Sequence, residues 1–453
     1  MVGSPAAAER ADVVVVGARC AGSATAATLA RAGLHVVVLD SARFPADTLS
    51  THLLWPAGVA ELSRLGALDA VREIGAPELT HAYAAGAGYL IETPFPEVDG
   101  IDYTLCVRRT GLDHALVRTA GEAGAEIRQR CRVTELVWDG ERCAGVRYTG
   151  PDDRTVEIRA ALVVGADGRR STVARLAGMA TPYESEPSGR DCYFAYWRDS
   201  AAEWRSTAAQ WREGADLGTA FPCDDGLLLC LVQPPAEPGK LRPGDAERRY
   251  AAALDRIPPL RERLRGGEQV GRVRAATGIT SYFRRSSGPG WALPGDSGHF
   301  KDPVTAQGIR DALHYGRRLA EEVAPVLHDP PRLDRAVAEW ERHRVAECRE
   351  IYHWTNRLAR GTAMSPLEVE LYRAATTDPE LAAITTAIFS RTRRPADLYT
   401  PARMARLTTG ALWRHRRNPA PVLRDLVHEI TTGAREFHTS CTTLRAAPPS
   451  ATV

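Results

Sequence analysis

The sequence predicts an α/β fold in which a parallel-strand unit is interleaved with an antiparallel β-sheet and followed by a helical region. Three strand-turn-helix stretches, far apart in the chain, predict the parallel part. In the first, Asp12 to Val16 is an apolar, β-branched run that reads as a buried parallel strand. Gly17-Ala18-Arg19-Cys20-Ala21-Gly22 follows, Ser23 to Arg31 reads as an Ala-rich helix, and Leu34 to Leu39 is a second strand running into Asp40 and Ser41. An acidic residue about 20 positions past the glycines completes the βαβ context of a dinucleotide-binding unit. Gly17 suits the tight turn, Gly22 lets helix and strand pack closely, and Asp40 is placed for ribose hydroxyls. Arg19 stands where the pattern has its middle glycine, so its side chain must point away from a pyrophosphate or fold over it. Cys20 and Ala21 lie inside the turn, where the cysteine reads as a small apolar filler rather than a point of covalent attachment.

The second stretch runs from the strand Ala161 to Gly165 into Ala166-Asp167-Gly168-Arg169-Arg170-Ser171, again an acidic turn before a helix. The third, Trp291 to Leu293, ends at Gly295-Asp296, and a loop through Pro303, Thr305, Ala306, Gln307 and Gly308 enters a helix near Ile309. A carboxylate at a strand end can accept a hydrogen bond from a ribitol hydroxyl. The amides that open a helix can hold phosphate or flavin carbonyl oxygens. Three such stretches in this order point to bound FAD.

Together they resemble the fingerprints of group A flavoprotein monooxygenases of the para-hydroxybenzoate hydroxylase fold, a superfamily shared with geranylgeranyl reductases and flavin-dependent halogenases. The fingerprints fall on Gly17 to Gly22, Asp167-Gly168 and Gly295-Asp296, with Pro303, Gln307 and Gly308 in register. Arg109-Thr110-Gly111-Leu112, ahead of an Ala/Leu-rich helix and Gly124-Ala125-Glu126, resembles the segment whose arginine lies near the FAD pyrophosphate; Arg109 aligns better than Arg108. The resemblance covers about residues 10 to 395 and implies a Rossmann-like FAD-binding domain, bound FAD, and NADPH or NADH visiting transiently. Pro303 to Gly308 is implied to run along the isoalloxazine ring. That sets Pro303 and Gln307 beside the chemistry and Thr305, Ala306, Gly308 and Ile309 among the cofactor contacts. Thr48 to His52 resemble the segment that crosses near the flavin. His52 is the leading base or substrate contact because His titrates near neutral pH, with a structural hydrogen-bonding role as the plainer alternative. His299 reads as loop-orienting, Lys301 as a flavin or nicotinamide-phosphate contact or a surface residue, and Arg43 as near the adenosine phosphates or paired with an acid.

The chain has 453 residues, 44% hydrophobic and 25% charged, which suits a soluble globular protein of two or three units. A net charge of +2 with arginines spread along the chain makes no case for nucleic acid. No apolar run reaches transmembrane length, so no membrane partner is expected. Residues 1–10 lack the regions of a signal peptide and read as a flexible tail. The nine cysteines form no CxxC pair and no metal-ligand spacing, which favours a reduced cytoplasmic compartment and no metal. Two lysines against 56 arginines point to a GC-rich genome. A monomer or homodimer is expected.

Residues 186–284 carry aromatic runs (Tyr193, Phe194, Tyr196, Trp197, then Trp204, Trp211, Phe221, Tyr282 and Phe283) broken by turn signals at Pro222 to Gly226 and Pro234-Pro235, and read as an antiparallel sheet. By resemblance this segment, with 81–100, is the substrate-binding domain covering the flavin ring, and Tyr196, Trp197 and Phe221 are its pocket walls. The FAD-binding domain is then discontinuous, over 11–80, 101–185 and 285–330. Residues 331–453 read as a C-terminal helical region, with eight arginines against four acids between 397 and 445. A solvated extension packing on the FAD domain is the plainer reading there, a partner-binding arm the other.

One dinucleotide fold with no second glycine fingerprint implies, by resemblance, that NAD(P)H reduces the flavin in passing. Oxygen then forms a C4a-hydroperoxide that hydroxylates or epoxidises an aromatic or polyunsaturated intermediate of secondary metabolism. Halogenation is disfavoured: no lysine precedes Lys240, and Phe221-Pro222 lacks the tryptophans of the halogenases' Trp-x-Trp-x-Ile-Pro. A geranylgeranyl-reductase-like activity is the main alternative, because Gly308-Ile309-Arg310-Asp311-Ala312 resembles the reductases' Gly-Ile-Arg-x-Ala. An FAD oxidase and, far behind, a non-catalytic flavin-binding protein complete the alternatives.

Overall fold

The computed structural model describes residues 8–429 and 431. Its centre is a six-stranded sheet ordered Ser287–Gly288, Trp291–Ala292, Leu162–Gly165, Val13–Val16, Val36–Asp40, Glu126–Gln129. All neighbours pair in parallel except the first two strands. Val13–Val16 is buried at every position because both faces are covered, which is why the run is continuous rather than alternating. On one face the odd valines pack with Ala24, Ala27 and Leu29 of the helix Cys20–Arg31 and Leu313 and Leu319 of the helix Gly308–Val323. On the other, Val14 and Val16 pack with Cys143, Val146 and Ile158 of a small sheet. That sheet is ordered Glu9–Arg10, Thr155–Arg159, Arg142–Thr149, Arg132–Asp139. The expected flexible tail therefore ends earlier than residue 10: Glu9 and Arg10 pair in parallel with Ile158 and Arg159, and residues 1–7 lie outside the described residues.

A seven-stranded sheet stands over the end of the central one. Its order is Glu268–Ala276, Cys192–Arg198, Leu227–Gln233, Asp216–Pro222, Thr207–Glu213, His81–Gly86, Tyr89–Pro94. It is mixed rather than wholly antiparallel, because His81–Gly86 enters from a distant part of the chain and pairs in parallel with Thr207–Glu213. Alternation gives it two faces. Phe194 shares one with Phe221, Leu229 and Leu231, and Tyr196 packs against that cluster. Tyr193, Ala195 and Trp211 share the other with Tyr250, Leu254 and Leu260 of the helices Asp245–Asp255 and Pro258–Arg263.

The C-terminal helices are punctuated by proline in their first turns and by side-chain caps just before: Asp329 for Pro330–Leu358, Ser365 for Pro366–Ala375, Asp378 for Pro379–Phe389 and Thr400 for Pro401–Arg414. Ile91 of the edge strand Tyr89–Pro94 joins Trp354, Leu371, Ile388 and Leu407 in one apolar cluster. These helices thus cover the edge of the seven-stranded sheet, where an unpaired strand would otherwise face water, rather than packing on the FAD-binding part alone. The last part of the Arg-rich segment, 432–453, lies outside the described residues.

Candidate functional site

The C-terminal edge of the central sheet opens into a cavity of about 700 Å³, a cofactor-sized space. Its lining comes from the ends of neighbouring strands: Asp40 and Ser41, Gly17 with Arg19 to Ala21, Ala166 to Gly168, and Asp296. Thr48 to Thr51, Cys192, Phe194, Ile279, Phe300, Pro303, Ala306, Gly308 and Ile309 continue it beneath the seven-stranded sheet. A crevice outside the carboxyl ends of parallel strands is where such sheets bind nucleotides.

Two glycines shape its floor. Gly17 takes φ +97°, and a Cβ at Gly22 would stand 1.7 Å from Gly17 O, so the helix Cys20–Arg31 starts in backbone contact with the turn. Neither that helix nor Gly308–Val323 has a side-chain cap, and both N-termini open on the cavity. Their first amides and the positive ends of their dipoles therefore converge on one space, which suits an anionic ligand. At Gly308 an added Cβ would meet nothing within 4 Å, because the space beside it is the cavity itself.

Arginines add to this charge. Arg109 Nε and Nη2 donate to Oδ1 of the fully buried Asp113 at 3.0 and 2.8 Å. Arg19 pairs with the same carboxylate and donates to Ala46 O and Asp47 O at 3.4 and 3.3 Å. The Arg19 side chain thus lines the cavity and is tethered there by these contacts. Asp113 escaped the sequence reading although its i,i+4 spacing from Arg109 on a helix was available. Burial pushes the Cys20 thiol up to about 12, as for a packed filler.

The three fingerprint carboxylates are held differently. Asp40 accepts from Ala18 N and Ala42 N, both at 2.7 Å, and so ties the glycine turn to its strand end. Asp167 accepts from Ser171 Oγ and the amides of Thr172 and Val173 at 2.5, 2.6 and 3.1 Å, fixing the start of the helix Thr172–Leu176. No hydrogen bond reaches the Asp296 carboxylate among the described residues, although its backbone oxygen accepts from Tyr282 Oη at 2.5 Å, and burial raises the carboxyl pKa from 3.8 to about 6 against the pull of Arg169 and Arg109. Ionisation of Asp296 thus costs the folded apoprotein stability: the contribution is whole below 3.8 and lost as pH rises through about 6. Asp296→Asn should therefore raise the melting temperature of the apoprotein at about pH 8 and leave it unchanged below about pH 4. Thermal melts at both pH values check this; an equal shift at both would contradict it.

Several expected site residues lie elsewhere. His52 is fully buried at φ +63°, with Nδ1 2.7 Å from Ser50 O and Nε2 2.6 Å from Tyr196 Oη. A carbonyl only accepts, so Nδ1 carries the proton and the Tyr196 hydroxyl donates to Nε2. Burial lowers the His52 pKa to about 4. The imidazole is neutral, fully engaged and outside the cavity lining, which corrects its reading as a base. Gln307 is likewise a clamp: Lys301 Nζ donates to its Oε1 at 2.8 Å, and its Nε2 donates to Ile388 O and Phe389 O at 3.1 Å, capping the helix Pro379–Phe389. Lys301, by contrast, does line the cavity; it is buried, not superficial, and pairs with Asp311 at 2.6 Å. His299 stacks on Phe283 at 3.9 Å and bonds Tyr282 O, which orients the loop.

Arg108 turns to Asp224 at 2.6 Å, Arg43 is exposed away from the cavity, and buried Thr305 faces Thr355. Gly22 and Gly295 stand behind the wall. Trp197 donates from Nε1 to Tyr250 Oη on the far face of the sheet, because neighbours in a strand point to opposite faces. Phe221 is core, and Tyr196 stops at His52. The aromatics that do meet the cavity are Phe300 and, from the seven-stranded sheet, Phe194, two positions before Tyr196 on the same face.

Residues 10–349 match a family described as an FAD binding domain. A menaquinone reductase of Mycolicibacterium smegmatis is 33% identical over 334 residues, 69% of this chain and 76% of its own length. Digeranylgeranylglycerophospholipid reductase 2 of Methanopyrus kandleri is 27% identical over 330 residues, 70% of this chain and 78% of its own. The solved flavin-dependent brominase Bmp2 has a similar structure, with a TM-score of 0.72 at 18% identity over 90% of this chain and 100% of that one. An uncapped pair of helix N-termini, a glycine turn that admits backbone approach and an unpartnered carboxylate fit the cofactor of that family. The chain belongs to the FAD-binding-domain family and is an FAD-dependent oxidoreductase.

Proposed function

We propose that this enzyme reduces carbon–carbon double bonds in a hydrophobic, polyprenyl-type substrate, with electrons drawn from NAD(P)H. The apolar wall carries this reading. Cys192, Phe194, Ile279 and Phe300 meet the cavity, while His52 is held by Ser50 and Tyr196 and Lys301 by Asp311 and Gln307. A substrate against this wall gains by burying apolar surface, about 25 cal/mol per Å². Lys301 and Arg169 also line the cavity, the first paired with Asp311 and the second set over the Phe300 ring at 4.9 Å. The two relatives are named for reducing a menaquinone and a geranylgeranyl lipid, and Gly308-Ile309-Arg310-Asp311-Ala312 has the reductase pattern. The oxygen-inserting reading shares the fold and cofactor; likeness to the brominase, at 18% identity, speaks to fold alone.

In this reading Asp40 and Ser41 hold the adenosine ribose, and the Cys20 and Ala21 amides with Arg109 hold the pyrophosphate. Asp296 accepts from a ribityl hydroxyl, the Gly308 and Ile309 amides face a flavin carbonyl, and Pro303 and Ala306 pack beside the ring. Bound FAD supplies two-electron chemistry to whatever lies on the Phe194 side. Phe194, Ile279 and Phe300 position the double bond and exclude water. Reduced holoenzyme mixed under argon with a polyprenyl lipid that carries no quinone ring tests this by the flavin absorbance. Return of the oxidised spectrum without oxygen is the expected result, and a flavin that stays reduced until air is admitted would overturn it.

A further inference from the structure

The fold brings together two thiols that lie far apart in sequence. Cys106 ends the short strand Leu105–Cys106, and Cys223 follows the strand Asp216–Pro222 of the seven-stranded sheet. Their Sγ atoms are 3.0 Å apart and both residues are fully buried. A disulfide holds its sulfurs at about 2 Å, so an approach of about one ångström completes the bond. The flanking backbones are already fixed. Arg108 N and Nε donate to Asp224 Oδ1 and Oδ2 at 3.0 and 2.6 Å, and Cys223 N donates to Leu227 O at 2.7 Å. Leu53 pairs with Cys106, and Ser50 and Thr51, just before it, line the cavity. No other two sulfurs touch among the described residues.

We propose that Cys106 and Cys223 form a redox pair, closed to a disulfide by hydrogen peroxide, that locks the seven-stranded sheet onto the segment bearing the cavity's Ser50–Thr51 wall. One thiolate attacks a peroxide oxygen, the O–O bond breaks, and a sulfenic acid and hydroxide form. The hydroxide takes up a proton to become water. The second thiol displaces the sulfenic hydroxyl, which leaves as water, and the S–S bond forms. The two thiols together lose two electrons and two protons, and one peroxide becomes two waters. Bound FAD, once reduced, would supply peroxide nearby on reaction with oxygen. Burial holds the Cys106 thiol well above the ordinary range, so thiolate is scarce and closure is slow. The bond would span 117 positions, a long loop whose closure restricts the unfolded chain.

Peptide mapping of holoprotein treated with hydrogen peroxide, denatured in acid and alkylated, tests the proposal. A Cys106–Cys223 linked peptide, an intact mass lower by two hydrogens and a raised urea midpoint are expected, all reversed by dithiothreitol. In Cys106→Ala both the mass loss and the midpoint shift should vanish. The proposal is overturned if both cysteines remain alkylatable after peroxide. Oxidation of either to sulfinic acid without a link, a link of either to Cys441, or persistence of the mass loss in Cys106→Ala overturns it equally. Should that variant fail to fold, the wild-type peptide map decides alone.

Discussion

Asp113→Ala should destabilise the protein by about 3–5 kcal/mol, the cost of leaving a buried charge without its partner. Asp113 is wholly inaccessible and accepts from Arg109 twice through one oxygen, from Arg109 again and Arg19 through the other, and from Cys20. Arg109 is itself 9% exposed, so water cannot replace the lost carboxylate. Arg19 would lose the carboxylate that anchors it in the cavity lining. Asp113→Asn keeps the volume and part of the hydrogen bonding and should fall between. The urea midpoint measures both. A loss in Asp113→Ala below about 1 kcal/mol, the worth of an exposed pair, would mean that the network does not hold the site together.

Gly22→Ala should abolish FAD retention and lower the melting temperature more than any other single methyl added at the site. The added Cβ would stand 1.7 Å from Gly17 O, and that carbonyl cannot retreat. Gly17 is pinned in turn at φ +97°, where a Cβ would lie 2.5 Å from Ala166 O. One methyl therefore displaces the turn, the strand behind it and the helix start together. Gly308→Ala is the contrasting case, since its Cβ meets nothing within 4 Å. It should leave the apoprotein's melting temperature intact and weaken only FAD, by filling cofactor space. Flavin absorbance after purification and melts of both apoproteins separate the two effects; equal flavin occupancy in Gly22→Ala and wild type would remove the turn from the site.

What could be read from the sequence follows from how local each signal is. Val13 to Val16, Leu162 to Gly165 and Trp291 to Leu293 are short apolar runs closed by a glycine or an acid, so strand, edge and turn are all written within ten residues. The C-terminal helix starts were equally local, with Asp329, Ser365, Asp378 and Thr400 each followed by proline. Where those helices pack was not, because Ile91 and Ile388 meet only in the fold. Gln307 looked catalytic because its loop resembles a flavin loop, yet its amide is spent on a carbonyl 81 positions away. Alternation places Tyr196 and Trp197 on opposite faces but does not say which face meets the cofactor. The thiol pair was invisible for the same reason: no spacing rule joins residues 106 and 223.

On the proposed reading the enzyme adds hydrogen, not oxygen, to a substrate held against Phe194, Ile279 and Phe300. The most direct test is the mass of the product formed when NAD(P)H-reduced holoenzyme turns over a polyprenyl lipid without a quinone ring, under argon and in air. A product heavier by two hydrogens, formed under argon and with no oxygen atom gained in air, is expected. A product heavier by one oxygen atom, formed only when air is admitted, would contradict it.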